Sequence, residues 1–283
     1  MHIGMNPDLL QAGGFVVSWH GFLTFVSVAL AVVLIAWWAR KVDILPDVVY
    51  STAVWAIIGG IIGARVVHVI DRWDFYRDNL TQIPSIWNGG IAIFGAVLGG
   101  FVGGYLFIRV RTWMQARALR KVTARYASPS DIQERGGYAY LRFPNSQDEN
   151  LRAIARTLAG EVVEEENRKR VRVASFSVGA LADLSAPAVI LAMAVGRIGD
   201  IISGEHVSKS TTMSWGFVYT NPASLTNQQY GVTPTHPTMV YEMLWDLVVF
   251  GILWWLRGRI RPPGILFAIM LAGYSIGRFF ISF

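Results

Sequence analysis

Six stretches of this chain, at about 15–37, 48–70, 89–108, 178–202, 238–256 and 264–281, stay apolar for some twenty residues at a time. Twenty helical residues cover about 30 Å, the hydrocarbon thickness of a bilayer. In that medium each backbone N–H and C=O needs a partner inside the protein, and helices supply those partners within one segment. Composition agrees: 53% of the 283 residues are hydrophobic, 16% are charged, and the mean hydropathy is +0.40. The expected fold class is all-α, a polytopic helical membrane protein with about six transmembrane helices and a small cytoplasmic insert. Its parts are 1–110 (three spans), 111–175 (the polar insert) and 176–283 (three further spans, with an outer loop at 204–235).

The start, Met1 to Asp8, lacks the basic segment of a secretory signal, so the first apolar run reads as a retained span. With no cysteine, there is no disulfide framework, no thiolate metal site and no thiol nucleophile on the chain itself. The net charge of +6 raises nucleic acid as a partner, but the distribution of Lys and Arg assigns the charge to one membrane face. With the N-terminus outside, the inner loops hold Arg40 and Lys41, the basic residues from Arg109 to Arg172, and Arg257, Arg259 and Arg261. The outer loops hold only Arg72, Arg77 and Lys209. No nucleic acid, metal or cofactor is expected.

Charges inside or at the ends of spans are the exceptions, and exceptions of that kind tend to be paired and functional. The fourth span runs into Gly196-Arg197-Ile198-Gly199-Asp200-Ile201-Ile202-Ser203-Gly204-Glu205. If the helix continues, Arg197 and Asp200 share a face at i, i+3. The glycines permit close approach of backbone or ligand, and the guanidinium fork suits a phosphate. Upstream, Asp183 lies near the inner end, where capping is a sufficient role, and Pro187 requires a neighbour for the carbonyl it releases.

Other stretches add candidates. His20 opens the first span beside Gly21, as a site residue or as an interfacial histidine. Gly59, Gly60, Gly63 and Ala64 form a small-residue face, followed by Arg65, which either binds phosphate or snorkels. Gly89, Gly90, Gly95 and Gly99 signal tight packing and close lipid approach. His236-Pro237-Thr238-Met239-Val240-Tyr241-Glu242 leads into the fifth span, and Glu242 inside an apolar helix needs a partner. Arg278 closes the sixth span.

In the insert, Tyr138 to Phe143 has weak strand character. Ser146 and Glu149 make a capping box ahead of an amphipathic helix through Leu151, Ile154, Ala155, Leu158 and Val162 to about Arg168.

The segment 196–205 resembles the signature of the bacterial prolipoprotein diacylglyceryl transferases, roughly G-R-x-G-N-x-x-N-G-E. The run 236–242 is similar to that family's H-P-[ST]-x-x-Y-E, and looser likenesses fall around Arg65, 86–100 and 273–283. The insert lies outside the resemblance. The likeness implies a bacterial inner-membrane, multi-pass enzyme. It would move the diacylglyceryl group of phosphatidylglycerol onto the lipobox cysteine of a prolipoprotein signal peptide and release glycerol phosphate.

On that reading Arg197, Glu205, Asp200, His236 and Arg278 are the expected catalytic residues. Arg65, His20, Gly89, Gly90, Tyr241 and Glu242 are expected to bind substrate. The chain departs from the family at several points: Phe94 stands where a histidine or tyrosine is usual, Asp200 and Ser203 replace asparagines, and Ser282 replaces a glutamate. The chain also stops where relatives continue through a further span, in a short lineage or a truncated product. Phenylalanine takes no proton, so the base is left among Glu205 (ranked first), Asp200, His236 and His20, or to the arginine field alone. An inactive or altered-substrate relative, and an anion- or lipid-binding transporter, are the alternative readings.

Overall fold

A computed structural model describes residues 1–13, 15–42, 44, 46–85, 92–126, 128–135, 138–143, 146–165, 168–174 and 177–281. Two compact units result: Met1–Ile35 with Gly179–Phe283, and Ala36–Val178.

The second unit is built on α2 (Pro46–Asp71) and α4 (Ile93–Arg125). Proline is suited to the first helical position and Asp47 to the positive end of the helix dipole, which sets the start of α2. The two helices meet along the glycine face expected from 59, 60, 63 and 64. A Cβ on Gly63 would lie 2.3 Å from the carbonyl oxygen of Gly95, and one on Gly99 would lie 2.2 Å from that of Gly59. Backbone therefore packs on backbone, as small residues allow in lipid, where apolar side chains gain nothing by leaving hydrocarbon. A short helix, α3 (Trp73–Tyr76), follows α2.

The insert corrects the all-α expectation. Strands β4 (Asp131–Arg135), β5 (Tyr138–Arg142), β6 (Glu161–Glu165) and β7 (Arg168–Ala174) form an antiparallel sheet in the order β4-β5-β7-β6. Helix α5 (Asp148–Thr157) lies against it. Leu151, Ile154, Ala155 and Leu158 are buried with Leu141, Val171 and Val173, as the apolar period predicts. The helix is shorter than that period predicts. The helix ends at Thr157, Ala159 has a φ of 52°, and Gly160 sits where a Cβ would be 2.4 Å from the carbonyl oxygen of Arg172. Val162 and Val163 then pair in β6, where β-branched side chains are favoured. The expected capping box is also absent, because the cap is Gln147 with no side-chain hydrogen bond.

The first unit starts with strands. β1 (His2–Ile3) is followed by a hairpin of β2 (Asp8–Ala12) and β3 (Phe15–Ser18), so the first span begins at Trp19 rather than 15. Ser18 Oγ accepts the N–H of Gly21 at 3.0 Å, capping α1 (Trp19–Lys41). The other helices are α6 (Val178–Ser203), α7 (Leu225–Tyr230), α8 (Thr238–Leu256) and α9 (Ile265–Ile281). A short strand, β8 (Val218–Tyr219), pairs in parallel with β1.

Ala186 and Ile190 of α6 form an apolar core with Val249 and Leu253 of α8 and Leu266 and Met270 of α9. Asp183 does cap, but in a neighbouring helix: its carboxylate accepts the N–H groups of Gly264 (2.7 Å) and Phe267 (3.0 Å) at the start of α9.

Among the described residues α1, α2, α6 and α8 are long and apolar enough to cross a membrane, four helices rather than the expected six. α9 has 17 residues, and α4 continues past 108 as a polar helix to Arg125. Large apolar side chains such as Phe25, Ile62, Val248 and Trp255 point outward from the spans, as expected where the surrounding solvent is hydrocarbon.

If the α2–α4 contact carries the second unit, Gly99→Ala should lower unfolding stability in detergent by about 1–3 kcal/mol through overpacking. Gly251→Ala, where nothing lies within 4 Å of the new methyl, should be neutral or stabilising by up to about 1 kcal/mol. Equal effects of the two substitutions would refute the close contact.

Candidate functional site

The first unit gathers its charges at one end of α6. Helix continues through Ser203, so Arg197 and Asp200 share a face as the spacing predicts, with Arg197 Nη1 2.9 Å from Asp200 Oδ2. The other arm of the fork, Nη2, lies 2.6 Å from Glu242 Oε2 on α8. The remaining oxygen of Glu242 accepts a hydrogen bond from Arg278 Nη1 on α9. One carboxylate thus bridges two guanidinium groups from different helices. Glu242 and Asp200 are almost completely buried, whereas 14% of the Arg197 side chain and 42% of the Arg278 side chain are exposed. Arg278 is the cation more available to an incoming anion.

Gly199 brings a histidine into this group. A Cβ there would lie 2.9 Å from the carbonyl oxygen of Trp19 and 3.0 Å from the Cα of His20. The first turn of α1 therefore rests directly on α6, and the close approach allowed by the signature glycine is used by backbone. His20 Nδ1 consequently lies 2.5 Å from Asp200 Oδ1, the oxygen not used by Arg197. His206 Nδ1 is 3.6 Å from the same oxygen.

The end of α6 is closed by the following loop. Gly204 has a φ of 62°, its N–H donates to Asp200 O, and its carbonyl accepts both the N–H and the hydroxyl of Thr226. Tyr219 donates its hydroxyl to Ile201 O, and burial, with Asp200 nearby, pushes its phenol up to about 12, so it remains a donor. A small cleft, with room for about 10 Å³, opens in this loop region, lined by His206, Tyr219, Thr235, His236 and Met239 among others.

Of the residues expected from sequence, His20, Arg197, Asp200, Glu242 and Arg278 converge. Glu205 is half-buried, and among the described residues no ion pair holds it. His236 lines the cleft, with its ring 6.4 Å from that of Tyr241, and Tyr241 Oη accepts the indole N–H of Trp215 at 2.8 Å. In the other unit Arg65 is buried, donating to the carbonyls of Gln82 (2.6 Å) and Ile83 (2.7 Å) beside the ring of Tyr76. Gly89, Gly90 and Ser282 lie outside the described residues, as does the side chain of Phe94.

His206 and Asp246 also lie here, though neither is among the site residues expected from the sequence. Asp246 is 1% exposed, one helical turn beyond Glu242, and its Oδ2 has no hydrogen-bond partner among the described residues. The signal was present as two carboxylates at i, i+4 in an apolar span. Among the described residues no group of three or more His, Asp or Glu could hold a metal ion.

The family model for prolipoprotein diacylglyceryl transferase matches residues 7–127 and 167–283, leaving out most of the insert. A phosphatidylglycerol–prolipoprotein diacylglyceryl transferase of Trichormus variabilis is 28% identical over 286 residues, covering 98% of this chain and 78% of that protein. Proteins of the same name from Acaryochloris marina and Listeria monocytogenes are each 28% identical, again over 98% of this chain and 78% of theirs.

Removing the shared carboxylate should expose the cost of the arrangement. Glu242→Ala leaves Arg278 without its carboxylate and the largely buried Arg197 with Asp200 alone, and is expected to lower unfolding stability in detergent by about 3 kcal/mol. Combining it with Arg278→Ala should recover part of that loss. An additive double variant would show that the two side chains are not coupled.

Proposed function

The chain belongs to the prolipoprotein diacylglyceryl transferase family, and on that premise we propose that it transfers the diacylglyceryl group of phosphatidylglycerol to the lipobox cysteine thiol of a prolipoprotein. Glycerol phosphate is the other product. The relatives' names and the family match support this reaction, and they do not favour a transporter.

The observation that carries the reading at the level of the site is the pair of arginines on Glu242. In the reaction a sulfur–carbon bond forms at the glyceryl carbon while the carbon–oxygen bond to phosphate breaks. The phosphodiester leaves as a monoester with more negative charge than it had in the ground state. A preorganised cation at the departing oxygen lowers that barrier, and it acts more strongly where water is excluded. Arg278, partly exposed and held by one oxygen of Glu242, is suited to receive the phosphate, with Arg197 behind it. Tyr241, His236 and Glu205 lie on the segments flanking these arginines and are assigned to the lipid headgroup and the peptide. Arg65, with its fork on two backbone carbonyls, is assigned to shaping the segment after α3, beside any contact with lipid. The K/R asymmetry supports an inner-membrane protein with its N-terminus outside and its insert on the cytoplasmic face.

The test uses purified protein in phosphatidylglycerol micelles with a lipobox peptide, following glycerol phosphate. Release should depend on the peptide cysteine and fall about 10²–10³-fold in Arg278→Gln, a loss of the size seen when one transition-state donor is removed. Folded protein that releases nothing, or an unaffected variant, would overturn the proposal.

A further inference from the structure

The geometry points to His20, oriented by Asp200, as the base that takes the proton of the substrate thiol. This rests on the transferase reading and assigns a step that reading leaves open. A cysteine thiol with an ordinary pKa of about 8.5 is mostly protonated at neutral pH, and the thiolate is the nucleophile. A side chain that accepts this proton at the reacting sulfur raises the fraction that can attack.

His20 and Asp200 form the constellation needed to take it. The Asp200 carboxylate is 4% exposed and lies between two donors: Arg197 Nη1 at 2.9 Å on Oδ2 and His20 Nδ1 at 2.5 Å on Oδ1. Arg197 keeps that carboxylate ionised, and an ionised carboxylate only accepts, so the shared proton sits on Nδ1. That contact fixes both tautomer and ring orientation, as a buried aspartate does for a catalytic histidine. With Nδ1 occupied and 40% of the side chain exposed, Nε2 is the nitrogen left to take a proton.

The competing bases lack this arrangement. His206 is 3.6 Å from the same oxygen, beyond a hydrogen bond. Glu205 has no ion pair among the described residues to aim it, and His236 lies in the cleft against Tyr241.

The base and the phosphate site therefore share one side chain. Asp200 is the positioning residue, binding His20 with one oxygen and Arg197 with the other. Nε2 removes the thiol proton as sulfur attacks the glyceryl carbon. The electron pair of the broken carbon–oxygen bond leaves with the phosphate, and the proton then passes from Nε2 to the released monoester, whose second pKa is about 6. Gly199 is what allows the pairing, since any side chain there would push the start of α1 away from α6.

The experiment compares cysteine and selenocysteine lipobox peptides on the full chain in phosphatidylglycerol micelles. A selenol is already ionised at neutral pH and needs no base. His20→Asn keeps a donor toward Asp200 but cannot take the proton. It should slow release on the order of 10²–10⁴-fold with the cysteine peptide, and should come within about tenfold of the unsubstituted protein with the selenocysteine peptide. Equal losses with both peptides would make His20 structural and overturn the assignment, as would full activity with the cysteine peptide. No release from the unsubstituted protein with either peptide would remove the transferase reading, and the base assignment with it.

Discussion

The first unit depends on one buried carboxylate. Glu242 is 4% exposed and carries Arg197 on one oxygen and Arg278 on the other. Taking an ion out of water costs several kcal/mol even after relaxation, and an apolar span raises that cost. Only close, well-directed partners offset it, so α6, α8 and α9 are constrained to a packing that delivers both guanidinium groups to the same side chain. The apolar cluster of Ile190, Val249, Leu253 and Leu266 lies between the same three helices. Apolar packing brings the helices together, and the ion pairs select their register.

The chemistry is an extension of that constraint. Arg197 has a second carboxylate, Asp200, whose other oxygen holds His20. Anion binding and proton removal can thereby be served by a chain of side chains in which each orients the next. Such a network is costly when incomplete: Glu242 Oε2 meets Arg197 as an ion pair without a hydrogen bond, and one turn on, Asp246 Oδ2 has no hydrogen-bond partner among the described residues.

Glycine has two distinct uses. Between α2 and α4 it lets backbone meet backbone, which is how helices associate when burying apolar surface yields little. At position 199 it brings the start of a different helix onto the signature, and with it His20. Both are legible as small residues in apolar runs. Their partners are not, because close approach names no neighbour.

The sequence by itself determined the membrane class, the positions of α1, α2, α6 and α8 to within a few residues, the α2 glycine face, the Arg197–Asp200 pair and the need of Glu242 for a partner. Each follows from a local rule: run length against bilayer thickness, helical period, or the cost of a charge in hydrocarbon. The same rules misjudged the insert. Val162 continues the spacing of Leu151 and Leu158 but belongs to a strand, because Gly160 and the pairing with β7 override local periodicity. Only the tertiary structure decided that Glu242 serves two arginines, that Asp183 caps a helix some eighty residues away, and that His20 rather than Glu205 is held by Asp200. These contacts join residues 36 to 180 positions apart, and nothing in the local pattern at either end specifies the other.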